Sequence, residues 1–407
     1  MDLGLAPALL KAIASVGHEA PTPIQVAAIP VLVRGDDLLA CAQTGSGKTA
    51  AFGLAVLHKL TSSPGSRKRT TRALILVPTR ELASQVTEVL RAYAAHMPAE
   101  FRVNALFGGV SINPQLMDLR WGADIIVATP GRLLDVVRHN ALRLDSLETL
   151  VLDEADRLLD LGFAAELAEI RALIPKCQIA LFSATFPEEV QKLADSMLDS
   201  PARIDVDTTE QAAPDIKQRS IAVDVDKRTQ LLRHLIQTHA WPRVLVFVAT
   251  KYATEHVAEK LRRAGISAAA LHGELSQGAR TKALTDFRTS KLQVLVATDL
   301  AARGIDIIQL PAVVNYDLPR SAVDYVHRIG RTGRAGESGV AISFVSSATE
   351  THFRLIEKRN ATRLPREEIT GFEPSAAAQP APSVGGVKGK RKSKKDKLRE
   401  QASKSGN

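Results

Sequence analysis

The segment Ala42-Gln43-Thr44-Gly45-Ser46-Gly47-Lys48-Thr49 sets two glycines among three hydroxyls and an amine. That mixture suits phosphate binding. Glycines let the backbone amides of Thr44, Gly45, Ser46 and Gly47 converge on phosphate oxygens, Lys48 brings positive charge to the β and γ positions, and the Thr49 hydroxyl is placed for Mg²⁺. Ala42 stands where the literal pattern has glycine, and a glycine-rich turn alone would leave the same trace. A nucleotide site also needs an acidic residue at the carboxyl end of a neighbouring strand. Asp153-Glu154, directly after Leu150-Val151-Leu152, supplies it. Asp153 suits the metal through its water shell, and Glu154 suits orienting and deprotonating a water; helix capping is the bland alternative. Phosphoryl transfer further calls for positive charge on the transition state, often carried in by another domain. His327-Arg328-Ile329-Gly330-Arg331-Thr332-Gly333-Arg334 offers three arginines with glycines that permit close approach.

Such residues need strands to end beneath them. Asp37 to Ala40 reads as a strand ahead of the loop. Further apolar, β-branched runs fall at 74–77, 125–128, 149–152 and 179–182, and a second set at 244–248, 294–297, 313–316 and 340–345. Continuous apolar runs are strands buried on both faces, and their alternation with helical stretches implies parallel sheets. The fold class is therefore α/β, with two domains in tandem: residues 1–206, a polar linker ending in proline at 207–216, and residues 217–372. Beyond Phe372 comes an Ala/Pro/Ser-rich stretch and then a lysine run, a composition that predicts a disordered basic tail over 373–407.

The net charge of +9 belongs mostly to that tail. Nine Lys or Arg against Asp396 and Glu400 lie between Lys388 and Lys404, leaving the rest of the chain close to neutral. A salt-dependent RNA tether fits this composition. Cys41 and Cys177 are too far apart in sequence for a metal knuckle or disulfide framework, and both are expected reduced in the interior. With neither a leader nor an apolar span at the start, a cytoplasmic protein without membrane contact is expected.

Taken in order, these segments resemble a DEAD-box RNA helicase over nearly all of residues 3 to 345. The resemblance rests on Pro21-Thr22-Pro23-Ile24-Gln25, Ala42 to Thr49, Pro78 to Ala83, Gly108-Gly109, Thr129-Pro130-Gly131-Arg132, Asp153 to Asp156 and Ser183-Ala184-Thr185. In the second half it continues with Val246 to Thr250, His272-Gly273 with Gln277 and Arg280, Ala297-Thr298-Asp299 through Arg303-Gly304-Ile305-Asp306, and His327 to Arg334. It implies two RecA-like domains using ATP and Mg²⁺. It implies that Gln25, with Thr22, reads the adenine, that Gly304 and Asp306 lie at the ribose, and that Arg331 and Arg334 act as arginine fingers. Ser183, Thr185 and His327 would couple nucleotide state to closure. Arg80, Gly109, Thr129, Arg132, Thr250, Gly273 and Thr298 would line an RNA track. Hydroxyls, arginines and glycine amides grip a backbone without reading bases. Only four tyrosines and two tryptophans are available for stacking, so extensive stacking on bases is not expected.

Phe107 to Gln115, Ser276 to Arg280 and the basic tail resemble bacterial helicases of the RhlE type, which implies work in ribosome assembly or RNA turnover with the corresponding partners. Two features depart from the family pattern. The usual aromatic three positions before Leu3-Gly4-Leu5 has no counterpart, and His18 stands where Tyr or Phe is usual, so adenine recognition is expected to rest on Gln25 and Thr22.

Overall fold

The computed structural model describes residues 3–17, 20–42, 45–62, 69–206, 216–302, 310–333 and 338–375. Its described strands form two seven-stranded sheets. The first contains β1 (Leu38–Cys41), β2 (Ala73–Leu76), β3 (Val103–Leu106), β4 (Ile125–Ala128), β5 (Thr149–Leu152), β6 (Gln178–Ser183) and β7 (Ala202–Asp205), in the order β3-β4-β2-β5-β6-β1-β7. The second contains β8 (Ile216–Ala222), β9 (Val244–Phe247), β10 (Ala268–Leu271), β11 (Val294–Ala297), β12 (Ala312–Asn315), β13 (Gly339–Val345) and β14 (Arg366–Glu367), in the order β10-β11-β9-β12-β13-β8-β14. Every pairing is parallel. The two orders are the same arrangement used twice, with β1 corresponding to β8, β2 to β9 and so on through β7 and β14.

The central strands are apolar on both faces because helices cover both faces. In β2, Ile75 faces the layer that also buries Leu38, Val127, Val151 and Phe182, while Leu74 and Leu76 face the layer holding Leu39, Ile126, Leu150 and Leu181. Phe52 meets Phe182 at 5.5 Å between ring centroids, which seats the helix Lys48–Ser62 on the first sheet. Val244, Val246, Val294 and Val314 form one face of the second sheet, with Leu245, Leu295 and Val313 on the other. Each such side chain contributes about 1.5–3 kcal/mol by leaving water.

All eight runs read as strands, and the segment before the loop, form strands at those places. Five others carry no such run: β3 (VNAL), β7 (ARID), β8 (IKQRSIA), β10 (AAAL) and β14. They lie at or next to the sheet edges, where one face is partly open and continuous apolarity is not required. Most of the linker lies outside the described residues, but its last residue, Ile216, already belongs to β8. The described chain also runs past Phe372, which packs on His234, to Ser375, whose backbone N and Oγ both donate to Asp224. Residues 376–407, nearly all of the tail, lie outside the described part. Cys41 and Cys177 are free but half-buried rather than interior.

Candidate functional site

Both sheets present their functional residues at the carboxyl ends of the strands, where parallel sheets hold ligands. In the first sheet the ends of β1, β5 and β6 lie together. After β1, Gly45 is exposed, Ser46 and Thr49 are half-buried, and the loop turns into the amino terminus of the helix Lys48–Ser62. Gly47 has φ +94°, and a Cβ there would lie 2.5 Å from Gln25 Nε2 and 2.8 Å from Thr22 Oγ1. Glycine is therefore required twice over, by conformation and by space. Gln25 ties the loop to the preceding helix: its Nε2 donates to the Gly47 carbonyl at 3.2 Å, while its Oε1 accepts from the Thr22 amide at 3.0 Å. Lys48 is buried, and its Nζ donates to the Ala42 carbonyl at 2.9 Å. Thr22 Oγ1 is buried without a hydrogen-bond partner, an unmet polar group at the rim of the loop.

Asp153 ends β5. Burial pushes its carboxyl up to about 6, with Lys48 opposing that shift and Glu154 adding to it. A carboxylate so far removed from water favours a cation beside it. Glu154 occupies the left-handed region at φ 54° and opens the helix Ala155–Asp160 without capping it through its side chain, so the capping alternative does not account for it. Its amide donates to Asp153 Oδ1 at 3.0 Å. Asp156 links this corner to the end of β6. Thr185 Oγ1 donates to Asp156 Oδ2 at 3.0 Å, the Asp156 amide donates to Ser183 Oγ at 3.3 Å, and Ser183 Oγ donates to the Thr185 carbonyl at 2.7 Å. Ser183 and Thr185 are thus joined to the acidic segment in one network, and Ser183 is fully buried.

The second sheet faces this corner across a cleft lined by Glu154, Asp156 and Arg157 on one side and by Asp299, His327 and Arg331 on the other. His327 Nδ1 is buried without a hydrogen-bond partner. Arg328, between His327 and Arg331, also lines the cleft but turns its guanidinium onto its own domain: Nε and Nη2 grip Asp299 at 2.6 and 2.7 Å, and Nη1 donates to Asn315 Oδ1 at 3.0 Å and the Asp317 carbonyl at 2.6 Å. It is a strut for the helix Ala322–Ile329. Arg157 Nη1 crosses the cleft to Asp324 Oδ1 at 3.2 Å. Thr44, Gly304, Asp306, Arg334 and His18 lie outside the described residues.

The expected RNA-contacting residues occupy the ends of corresponding strands. Arg80, Gly109 and Thr129 follow β2, β3 and β4, while Thr250, Gly273 and Thr298 follow β9, β10 and β11. Thr79 and Thr250 cap their helices with nearly identical backbones, φ/ψ −132°/154° and −134°/155°, and accept from Leu82 and Ala253 amides. Gly109, at φ +79°, leaves room for Arg80, whose Nη1 would lie 2.9 Å from a Cβ there. Gly273 faces open space. Thr298 Oγ1 accepts from the Ala301 amide at 3.4 Å, and Thr129 is buried. Arg132 is also turned inward, its Nη2 donating to the Val110 carbonyl at 2.8 Å, so it holds the Gly109 loop in shape rather than lying open on the track.

Sequence reasoning did not assign Asp156, Arg328 or Glu81. Glu81 is buried, and its Oε1 accepts from Arg80 Nε at 2.8 Å within the first domain and from Arg280 Nε at 2.8 Å and Nη2 at 2.6 Å from the second. Asp156 and Arg328 could have been sought inside segments already singled out. The Glu81–Arg280 pair joins residues 199 positions apart and has no local signal.

Among the described residues no helix is long and apolar enough to cross a membrane, and no group of three or more His, Cys, Asp or Glu could cage a metal. A metal held largely by water and phosphate, with Thr49 and Asp153 behind it, fits this donor set.

Residues 22–193 match the family model described as DEAD/DEAH box helicase, and residues 226–336 match the helicase conserved C-terminal domain. The chain is 42% identical over 373 residues to the ATP-dependent RNA helicase DeaD of Mycobacterium tuberculosis, covering 91% of this chain but 65% of that relative's length. It is 38% identical to the DEAD-box ATP-dependent RNA helicase CshA of Bacillus cereus, covering 93% of this chain and 71% of that one. Among solved structures it resembles S. cerevisiae Dbp5 bound to RNA and ADP BeF3, with TM-score 0.79 and 33% identity over 90% of this chain and 95% of that chain.

Proposed function

This chain belongs to the DEAD-box helicases, and on that premise we propose that it is an ATP-dependent RNA helicase whose ATP hydrolysis is stimulated by RNA and drives closure of its two RecA-like domains. The observation that carries this is the shared cleft, with Glu154 and Asp156 on one wall and His327 and Arg331 on the other. In this reading the loop 44–49 and Lys48 hold the triphosphate, Thr22 and Gln25 are offered to the adenine, and Gly304 and Asp306 to the ribose. Thr49 and Asp153 would hold Mg²⁺, which supplies positive charge to the phosphate oxygens when bound. Glu154 orients the attacking water and takes its proton, and Arg331 and Arg334 bring positive charge from the second domain. Ser183 and Thr185, tied to Asp156, and His327 opposite them report nucleotide state to the domain interface. Closure then brings Arg80, Gly109 and Thr129 into one surface with Thr250, Gly273 and Thr298, while Arg132 supports the Gly109 loop. RNA gripped along its backbone across two bodies is held without regard to sequence, and a short duplex is parted where the strand is forced to bend.

We further propose work on structured RNA in the cytoplasm, in ribosome assembly or RNA turnover, on the resemblance of Phe107 to Gln115 and Ser276 to Arg280 to helicases of the RhlE type, and the charge of residues 388–404 supports a tail that tethers RNA. ATPase assays with RNA and with DNA of matched sequence test the activity; equal stimulation by both, or by neither, sinks it. A strand-displacement assay on a short RNA duplex, with Glu154→Gln as the inactive control, separates unwinding from clamping. Deleting residues after Phe372 is expected to weaken RNA binding chiefly at low salt; equal loss at all salt concentrations would remove the tether.

A further inference from the structure

Tyr252 lies 74% exposed beside the RNA track, whereas the other tyrosines are packed. Tyr93 and Tyr325 are buried, the latter donating to Gln218 Oε1 at 2.9 Å, and the Tyr316 hydroxyl meets Thr229 Oγ1 at 3.0 Å. Tyr252 follows the cap Thr250 by two residues, in the first turn of the helix Lys251–Arg263. Two side chains of that helix anchor it to the loop that carries Gly273: Lys251 pairs with Glu274, and Glu255 with His272 Nε2 at 2.9 Å. Positions 251 and 255 therefore face that loop, and 252 and 256, one residue further round, form the adjoining ridge. There the Tyr252 ring lies 5.8 Å from that of His256 at an interplanar angle of 12°. The stack holds one face of Tyr252 against His256.

The repeat of the fold fixes where this ridge stands. Thr79-Arg80-Glu81 after β2 and Thr250-Lys251-Tyr252 after β9 occupy corresponding positions, with matching cap geometry. Arg80 is a track residue, and Glu81 is held against it. Lys251 and Tyr252 are the second domain's counterparts, but this pair replaces a carboxylate by an aromatic ring with an open face. A scattered exposed aromatic needs no function. One that is pre-ordered by a stacked partner and set next to a backbone-binding cap is a platform for a nucleobase.

We propose that Tyr252, ordered by His256, stacks on one base of the RNA strand lying over Thr250 and Gly273, adding a base contact to a track that otherwise grips the backbone. The contact is indifferent to base identity, because every base offers a π-face. It rests on the RNA-binding reading above.

Binding of a short fluorescein-labelled oligoadenylate, measured by anisotropy with ADP BeF3 present, tests it. Tyr252→Ala is expected to weaken binding about 10-fold, while Tyr252→Phe and Tyr252→Trp stay close to the parent. The salt dependence should be unchanged, since no phosphate contact is lost, and the Tyr252→Trp emission should be quenched on adding RNA. Trp121→Ala serves as control: Trp121 is 73% exposed but precedes β4, at the opposite ends of the strands, and should bind RNA like the parent. Parent-like affinity of Tyr252→Ala, with the parent binding RNA well, overturns the platform alone. Failure of the parent to bind RNA overturns the track and the platform together. A Tyr252→Phe loss equal to that of Tyr252→Ala would assign the effect to the hydroxyl and also refute stacking.

Discussion

The two sheets share one strand order, yet the phosphate-loop pattern follows β1 and not its counterpart β8. After β1 the chain turns through Gly45, Ser46 and Gly47 into Lys48, whereas after the corresponding β8 it continues Val223-Asp224-Val225-Asp226-Lys227, without a glycine and with two carboxylates. After β5 come Asp153 and Glu154; after β12 come Tyr316 and Asp317, and Asp317 is used up by Arg228 at 2.9 Å and the Ala249 amide at 2.8 Å. The opposite edges of the sheets have stayed alike, with a capping threonine, a cation, a glycine and a second threonine after three matching strands. On the proposed reading, a scaffold used twice keeps its backbone-gripping edge in both copies and its phosphate loop in one. If the second copy contributes cations to the first copy's site, as proposed, catalysis should depend on closure while each copy folds around its own core.

Four experiments probe that asymmetry. The largest effect is expected at Arg331. If the second domain supplies transition-state charge, Arg331→Ala lowers RNA-stimulated ATP turnover by about 10³-fold. Nucleotide affinity of the first domain should change little, and a loss confined to affinity would mean the two walls do not share chemistry. Glu154→Gln is expected to lower single-turnover hydrolysis by about 10²-fold or more while ATP still binds. Near-parental rates would move the base elsewhere.

The next effect concerns closure itself. Arg280 and Glu81 are both buried between the domains, and burial disfavours the charged guanidinium while Glu81 favours it. Removing one partner of such a pair costs about 3–5 kcal/mol. Arg280→Met should therefore depress the closed population, read by energy transfer between labels on the two domains, and raise the RNA concentration needed for half-maximal ATPase. Unchanged closure would show that the pair is dispensable. The smallest effect sharpens the repeat: Thr79→Ala and Thr250→Ala each remove one helix cap, worth about 1 kcal/mol, and should lower Tm by similar amounts. Clearly unequal shifts would indicate that the matching cap geometry conceals different packing.

Much of this was legible because it is local. The phosphate loop is one contiguous segment, and the acidic pair follows an apolar run whose burial on both faces marks a central strand. The edge strands escaped notice because a half-open face tolerates Arg203 and Lys217, and β3 admits the buried Asn104, each of which breaks the apolar run. Gln25 was expected to face adenine, but its amide also fastens the loop at Gly47, a contact that spacing does not reveal. Arg328 and Arg331 sit three residues apart in one segment and both line the cleft, but the Arg328 guanidinium is held inside its own domain by Asp299 and Asn315.

By itself the sequence determined which residues have the chemistry suited to phosphate and which strands lie at the centre, since both follow from side-chain chemistry and from the burial of contiguous apolar runs. Only the tertiary structure decided that Arg328 is gripped by Asp299, that Glu81 is shared between Arg80 and Arg280, and that Tyr252 stands exposed beside Thr250 and Gly273. Those outcomes depend on how two separately folded sheets meet, and the contacts that fix them join residues far apart in the chain, where no local pattern records their proximity.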